Sequence, residues 1–326
     1  MPASAQWIRR VAAFALLACA GGAAIAAEGG YPSKPIRLII PYAPGGGVDA
    51  AGRLLAQQLG GFLEQQVIVE NRPGGASVIG TTAVVNAPAD GYSLLLISLA
   101  IVTNQSLIKN ISYDPVRDLR AIAMVSSSPL LLTVNAKVPA TDIKSLIAHA
   151  RANPGKLNYS TAGIGTAPHL AAELLRASSG IEITAIAYKG SGPAMADLIS
   201  GQVEMSFSSI AAAKPHMDKG ALRGLATTGL KRSVSLPNLP TVAESIPGFD
   251  VDLWMALFAP AKTPEPVIQR LNVAVRTALR SDQLREGFLR VGQEPTGSTP
   301  EEAQAFINAE MVKWTKLIRD ASIAAQ

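Results

Sequence analysis

Pro41-Tyr42-Ala43-Pro44-Gly45-Gly46-Gly47-Val48-Asp49 sets three glycines between an apolar run, Ile36–Ile40, and the start of a helical pattern. Glycine lets bare backbone N–H groups approach a ligand, and the following helix N-terminus favours negative charge. Tyr159-Ser160-Thr161-Ala162-Gly163-Ile164-Gly165-Thr166 repeats this strand–glycine–helix order more than a hundred residues later. The chemistry is anion recognition by backbone amides, and two such units imply two lobes gripping one small anion. Neither unit reads as a nucleotide site. The first lacks both G-x-x-x-x-G-K-[ST] and G-x-G-x-x-G, and the second has Pro168 where the third glycine of a dinucleotide fingerprint would stand.

Asp49 falls in the first turn of its helix. Two roles are open to it: a favourable interaction with the helix dipole of about 0.3–1 kcal/mol, or acceptance of a hydrogen bond from the ligand or its water. Of the three histidines, His149 and His216 read as surface or packing residues, and His169 opens the second glycine-headed helix. His169 and Glu173 share a helical face at i,i+4, but no third residue at metal-ligand spacing joins them. No cofactor is expected. Nucleophilic catalysis finds no G-x-S-x-G elbow, and Ser160, Ser191, Ser206 and Ser208 suit hydrogen bonding at strand ends. The reading is a binding protein, not an enzyme.

The elements that must position these residues alternate strand and helix, which predicts α/β lobes with mainly parallel sheets. Strands are expected at Ile36–Ile40, 67–70, 94–97, Leu157–Thr161, 183–188, 203–207 and Leu222–Thr227, with helices at 48–59, 77–85, 168–178 and 191–199. Thr141 is expected to cap a helix running to Ala152. An apolar stretch over 122–134, broken only at 126–129, is a candidate crossover between lobes, and 251–260 is the natural return. The segment 236–240 is a proline-punctuated loop. Two closing helices carry apolar stripes, Val267, Leu271, Ala274, Ala278 and Leu279, then Ile307, Met311, Trp314 and Ile318. Both read as core faces docked on the first lobe.

At 326 residues, 48% of them hydrophobic, the chain can bury a large core, and its mean hydropathy of +0.24 is high for a soluble protein. Part of that lies in a leader over 1–27. Arg9 and Arg10 precede a short apolar run at 11–18, and small residues follow to Ala26-Ala27, the pattern of an export signal. The lone cysteine, Cys19, follows Leu16-Leu17-Ala18, so lipidation there stands as an alternative to plain cleavage near Ala26 or Ala27. The formal net charge of +5 is scattered, without the aromatic-interleaved basic stripe that nucleic acid requires.

The chain resembles the Bug-type solute-binding proteins of tripartite tricarboxylate transporters across essentially its whole mature length. The resemblance rests on Tyr31-Pro32-Ser33-Lys34-Pro35-Ile36-Arg37, the first glycine unit with Asp49, Val69-Glu70-Asn71-Arg72-Pro73-Gly74, Ala89-Asp90-Gly91-Tyr92 and Tyr113-Asp114-Pro115. It continues through the second glycine unit with His169-Leu170, Tyr188-Lys189-Gly190 with Pro193, Gly201-Gln202-Val203, Leu236-Pro237-Asn238-Leu239-Pro240-Thr241, Trp254 and Phe258-Ala259-Pro260. It implies a two-lobed periplasmic-binding-protein fold, a flytrap of α/β lobes joined by crossover strands. Lobe I would comprise 28–126 and 250–326, and lobe II 127–249.

The resemblance also implies that backbone amides and ordered water hold a small carboxylate. Tyr42, Ala43, Pro44, Gly45, Gly46, Gly47 and Asp49 would form one jaw, and Ser160, Thr161, Ala162, Gly163, Gly165, Thr166 and His169 the other. Tyr188, Lys189 and Gly190 would sit nearby, with Ser98, Ser206 and Ser208 as further cleft residues. The implied protein is a periplasmic monomer that hands its ligand to the permease subunits of a tripartite transporter; the alternative partner is a membrane sensor kinase. Two departures from the family pattern bear on ligand choice: Val48 where Thr is common, and Val102-Thr103-Asn104-Gln105-Ser106 where His-x-x-Asn-Pro is common.

Overall fold

Ile36–Ile40 forms strand β1, and its apolar character, broken only by the exposed Arg37, puts it inside a sheet covered on both faces. The structure is a computed structural model, and it describes residues 30–188, 190–233, 235–320 and Ile323. The expected leader over 1–27, Cys19 within it, and Lys189 lie outside the described residues. Among the described residues, those up to Ser33 form a unit apart, in which the Tyr31–Pro32 peptide is cis, and both sheets and every described helix belong to 34–326.

Among the described residues, eleven strands make two sheets. One holds β1, β2 (Val67–Asn71), β3 (Ser93–Ile97), β4 (Leu119–Ser127), β10 (Met255–Pro260) and β11 (Glu294–Pro295), in the order β11-β4-β10-β3-β1-β2. The other holds β5 (Leu130–Asn135), β6 (Leu157–Thr161), β7 (Ile183–Ala187), β8 (Met205–Ser209) and β9 (Leu222–Thr227), in the order β7-β6-β8-β5-β9. The sheets are more mixed than the strand–helix alternation predicts. β1 runs parallel to β2 and β3, and β6 to β7 and β8, but β10 opposes both its neighbours and so does β5. The opposing strands are the ones by which the chain arrives from the other sheet, and apolar periodicity carries no information on strand direction.

The fold is thus two α/β lobes joined by crossing segments. β4 passes to β5 through Ser128 and Pro129, and the chain returns along 251–254 into β10. The two crossings lie side by side: Ser128 N–H donates to the Leu253 carbonyl at 3.2 Å and Leu253 N–H to the Ser128 carbonyl at 2.8 Å. Ser127 Oγ donates to Asp252 Oδ2 at 3.0 Å, and burial pushes the Asp252 carboxyl above its usual range. The C-terminal helix Pro300–Asp320 is tied to the same place. Glu310 Oε2 accepts from the indoles of Trp254 and Trp314, both at 2.9 Å, while Lys313 spans Asp250 and Glu310.

Several elements differ from expectation for local reasons. Asp142, not Thr141, caps helix Ile143–Ala152: its carboxylate accepts from Ser145 N–H at 2.7 Å in a reciprocal capping box. Strand β8 begins at Met205 rather than at 203. Helix Ala100–Leu107 lacks a side-chain cap and follows an apolar strand closely, so its periodicity merges with that of β3. Helix Ile210–Asp218 runs through Pro215 near its end. Three helices close the chain, because Asp282–Arg290, capped by Ser281, stands between Glu265–Arg280 and Pro300–Asp320. Leu271, Ala274, Ala278, Ile307, Trp314 and Ile318 are buried core residues, with Val267 and Met311 half-buried beside them.

Candidate functional site

Helix Gly47–Leu63 starts directly from the first glycine loop, with Gly46 as its N-cap and no side chain capping it. Its leading N–H groups therefore look outward for a partner. Gly45 holds φ +88, where a side chain is strained. Its N–H donates to Asp49 Oδ2 at 2.9 Å, which turns the loop back over the helix start. The same oxygen accepts from Arg53 Nε at 3.1 Å, and Oδ1 accepts from Asn71 Nδ2 at 2.9 Å and from Arg53 at 3.0 Å. Asn71 also donates to the Tyr42 carbonyl at 3.1 Å and accepts from Arg53 at 2.9 Å. Burial pushes the Asp49 carboxyl up, but the Arg53 guanidinium and the Gly45 and Asn71 amides outweigh it and leave the group below the usual carboxylate range.

Of the loop itself, Ala43, Pro44, Gly45 and Gly47 are exposed, and Tyr42 and Gly46 are half-buried. Burial raises the Tyr42 hydroxyl well above its ordinary pKa, against the Ser98 backbone N–H that it accepts from and beside Tyr113. Ser98 thus meets the first loop through its backbone.

The second loop is built on the same plan. Helix Ala167–Ser179 starts from Thr166 with no side-chain cap, and Pro168 sits in its first turn. Gly165 holds φ +77 and donates its N–H to His169 Nδ1 at 3.3 Å. His169 is 5% exposed and packs against the Tyr159 ring; burial holds its pKa below the ordinary value, so the neutral ring accepts at Nδ1. Gly163, at φ +142, gives its carbonyl to the hydroxyls of Thr161 at 3.1 Å and Thr166 at 2.6 Å. Ala162 is half-buried between them. Glu173 accepts from Tyr159 Oη at 2.7 Å and from Arg176 Nε at 2.8 Å, so both its oxygens are engaged within the fold.

The outer candidates separate into two groups. Tyr188 follows β7, and its hydroxyl donates to Asp197 at 2.7 Å; burial and that carboxylate push it up to about 12. Gly190, at φ +119, caps helix Ser191–Ser200. Ser206 Oγ donates to the Ser160 carbonyl at 2.9 Å, and among the described residues the hydroxyls of Ser160 and Ser208 have no hydrogen-bond partner.

Three residues outside the expected set hold the loops or their neighbours in place. Thr103 Oγ1 lies 3.3 Å from the Gly165 carbonyl, from the first sheet's helix to the second sheet's loop. Asn104 Nδ2 donates to the Ala76 carbonyl at 2.8 Å and to Ser77 Oγ at 3.2 Å, fixing Ala76 and Ser77 at φ +50 and +77. Asn71 completes the first loop. Arg53 is findable from sequence as the i+4 partner of Asp49, whereas Thr103 shows only in three dimensions.

A family model described as the tripartite tricarboxylate transporter family receptor matches residues 51–323. The chain belongs to this receptor family. The receptor is 38% identical to protein BugT of Bordetella pertussis over 93% of its own length and 94% of BugT. Among solved structures, R. palustris Rpa4515 with adipate superposes with TM-score 0.84 at 34% identity, covering 91% of the receptor and 100% of Rpa4515. The periplasmic binding protein BugD superposes with TM-score 0.82 at 34% identity and the same coverage. These are receptors and binding proteins rather than enzymes. Among the described residues of the receptor no helix is long and apolar enough to cross a membrane.

Proposed function

We propose that this receptor binds a small carboxylate between the two glycine loops and delivers it to the permease subunits of a tripartite transporter by lobe closure. The observation that carries the reading is the shared plan of the two loops. In each, an uncapped helix start faces outward, and a residue in the first helical turn fixes the loop by accepting a glycine N–H. Adipate in the similar Rpa4515 supports a carboxylate, and BugD supports a periplasmic location after loss of the leader.

On this reading lobe I is 28–126 with 250–326 and lobe II is 127–249, moving about the paired crossings. The jaws are Tyr42 to Gly47 and Ser160 to Thr166, with Tyr188, Lys189, Gly190, Ser98, Ser206 and Ser208 around them. Asp49 and His169 act behind the ligand by holding their loops. Asp49 has its carboxylate engaged by Gly45, Arg53 and Asn71, which favours that bracing role over ligand contact. Ligand contacts made only when the lobes are shut would shift the population toward the closed form.

The test is a thermal-shift titration of the mature protein with adipate and a panel of short mono- and dicarboxylates. A ligand at a hundred times its Kd should stabilise the protein by about 2.7 kcal/mol. Gly46→Arg should abolish that shift while leaving the unliganded fold intact. Undiminished binding by Gly46→Arg would place the site elsewhere.

A further inference from the structure

Thr103 is fully buried on helix Ala100–Leu107, and its hydroxyl stands 3.3 Å from two carbonyls at once, those of Leu99 and Gly165. A hydroxyl has one hydrogen to give. Leu99 belongs to the same helix and already receives the Thr103 N–H at 3.2 Å, so it is satisfied whichever way the hydroxyl turns. Gly165 belongs to the other sheet's glycine loop. The same helix touches Gly165 again one turn later: a Cβ added there would lie 3.1 Å from Leu107 Cδ1. Gly165 is thereby held from behind by His169 and from the front by Thr103 and Leu107. Asn104, next in the chain, holds the left-handed Ala76 and Ser77 of the first sheet's side.

We propose that Thr103 is a positioning residue that latches the closed lobes. Its hydroxyl donates to the Gly165 carbonyl when the lobes are shut and turns back to the Leu99 carbonyl when they part. Because the donor keeps an acceptor in both states, opening leaves no orphaned hydroxyl, and the latch biases closure without locking it. The Gly165 carbonyl, by contrast, gains its Thr103 partner only on closure. The latch needs no contact with the ligand, so it acts on every carboxylate the receptor takes. The latch rests on the proposed lobe closure.

The experiment follows closure by a dye pair at Gln57→Cys and Lys144→Cys, exposed sites on the two lobes, in the mature protein, whose own sequence holds no other cysteine once the leader is removed. Thr103→Val keeps the side chain's shape and removes the hydroxyl; Thr103→Ser keeps the hydroxyl. Thr103→Val should lower the closed fraction without ligand by about two- to tenfold, the range set by one net hydrogen bond, and speed adipate release by a similar factor. Thr103→Ser should behave as the wild type. If valine at 103 unfolds the protein, Thr103→Ala against Thr103→Ser makes the same comparison. A wild type that closes on adipate while the hydroxyl-free variant closes and releases equally well overturns the latch alone. A serine variant that behaves like valine overturns it too. A wild type whose dye distance ignores every carboxylate overturns the closure reading and the latch with it.

Discussion

Gly165 donates its backbone hydrogen to Nδ1 of His169 at 3.3 Å, across the same four-residue step by which Gly45 donates to Asp49 at 2.9 Å. One loop is braced by an anion and the other by a neutral ring. An uncompensated carboxylate behind an anion site would repel the ligand, and Arg53 at 3.0 Å removes that penalty in the first loop. The second loop needs no such compensation, since burial keeps His169 uncharged.

Asp49→Ala removes the acceptor of Gly45, Arg53 and Asn71 together. Its donors are exposed or half-buried and can turn to water, so the loss should be about 0.5–1.5 kcal/mol, which urea unfolding should register with a lowered midpoint and an unchanged slope. Arg53→Ala should cost less than about 1 kcal/mol, because its side chain is mostly in water. Carboxylate affinity should fall more in Asp49→Ala than in Arg53→Ala.

Acidification should loosen the second loop before the first. The folded His169 pKa lies below its ordinary 6.5, so the unfolded chain binds the proton more readily. Its contribution to stability is therefore intact above that value and is lost as pH falls from 6.5 toward the folded pKa. Asp49, depressed below 3.8, loses its contribution only at more acid pH, as pH falls through its folded value. Urea midpoints measured at about pH 7.5 and about pH 5.5 should differ in the wild type, and His169→Gln should flatten that difference.

The glycines should not behave alike under substitution. Gly165→Ala meets both a positive φ and Leu107, and should lose about 1–3 kcal/mol of stability. Gly47 has nothing within 4 Å of an added Cβ and begins a helix, so Gly47→Ala should gain about 0.4–1 kcal/mol. Thermal melts of the two variants check the contrast. A destabilised Gly47→Ala would show that the first loop is strained in a way its geometry does not reveal.

The two glycine loops and the helices behind them are legible in the sequence, because a strand run, a glycine turn and a helix start each leave a local mark. Asp49 stands between two roles there, since its partners Gly45, Arg53 and Asn71 arrive from three different stretches of chain. Helix Ala100–Leu107 escapes notice for a related reason: it is apolar over much of its length, lacks a cap, and follows a strand of the same character. The antiparallel setting of β5 and β10 depends on where the chain crosses between sheets, and the break at 126–129 marks a crossing without fixing its direction. The segment 102–106 is marked by its departure from the family pattern, but Thr103 within it has no local sign of its role, because its partner lies 62 positions away.

The strand β10 stands between β4 and β3 in the middle of its sheet, yet it is made after all of β5 to β9. The second sheet is one continuous passage of chain and can assemble as soon as that passage is complete. The first must wait with its central place vacant, its apolar strands β3 and β4 lacking a neighbour, until residues 255–260 arrive. Order of synthesis therefore runs opposite to order of completion: the half begun first is finished last, and during that interval its open edges are where a chaperone has most to protect.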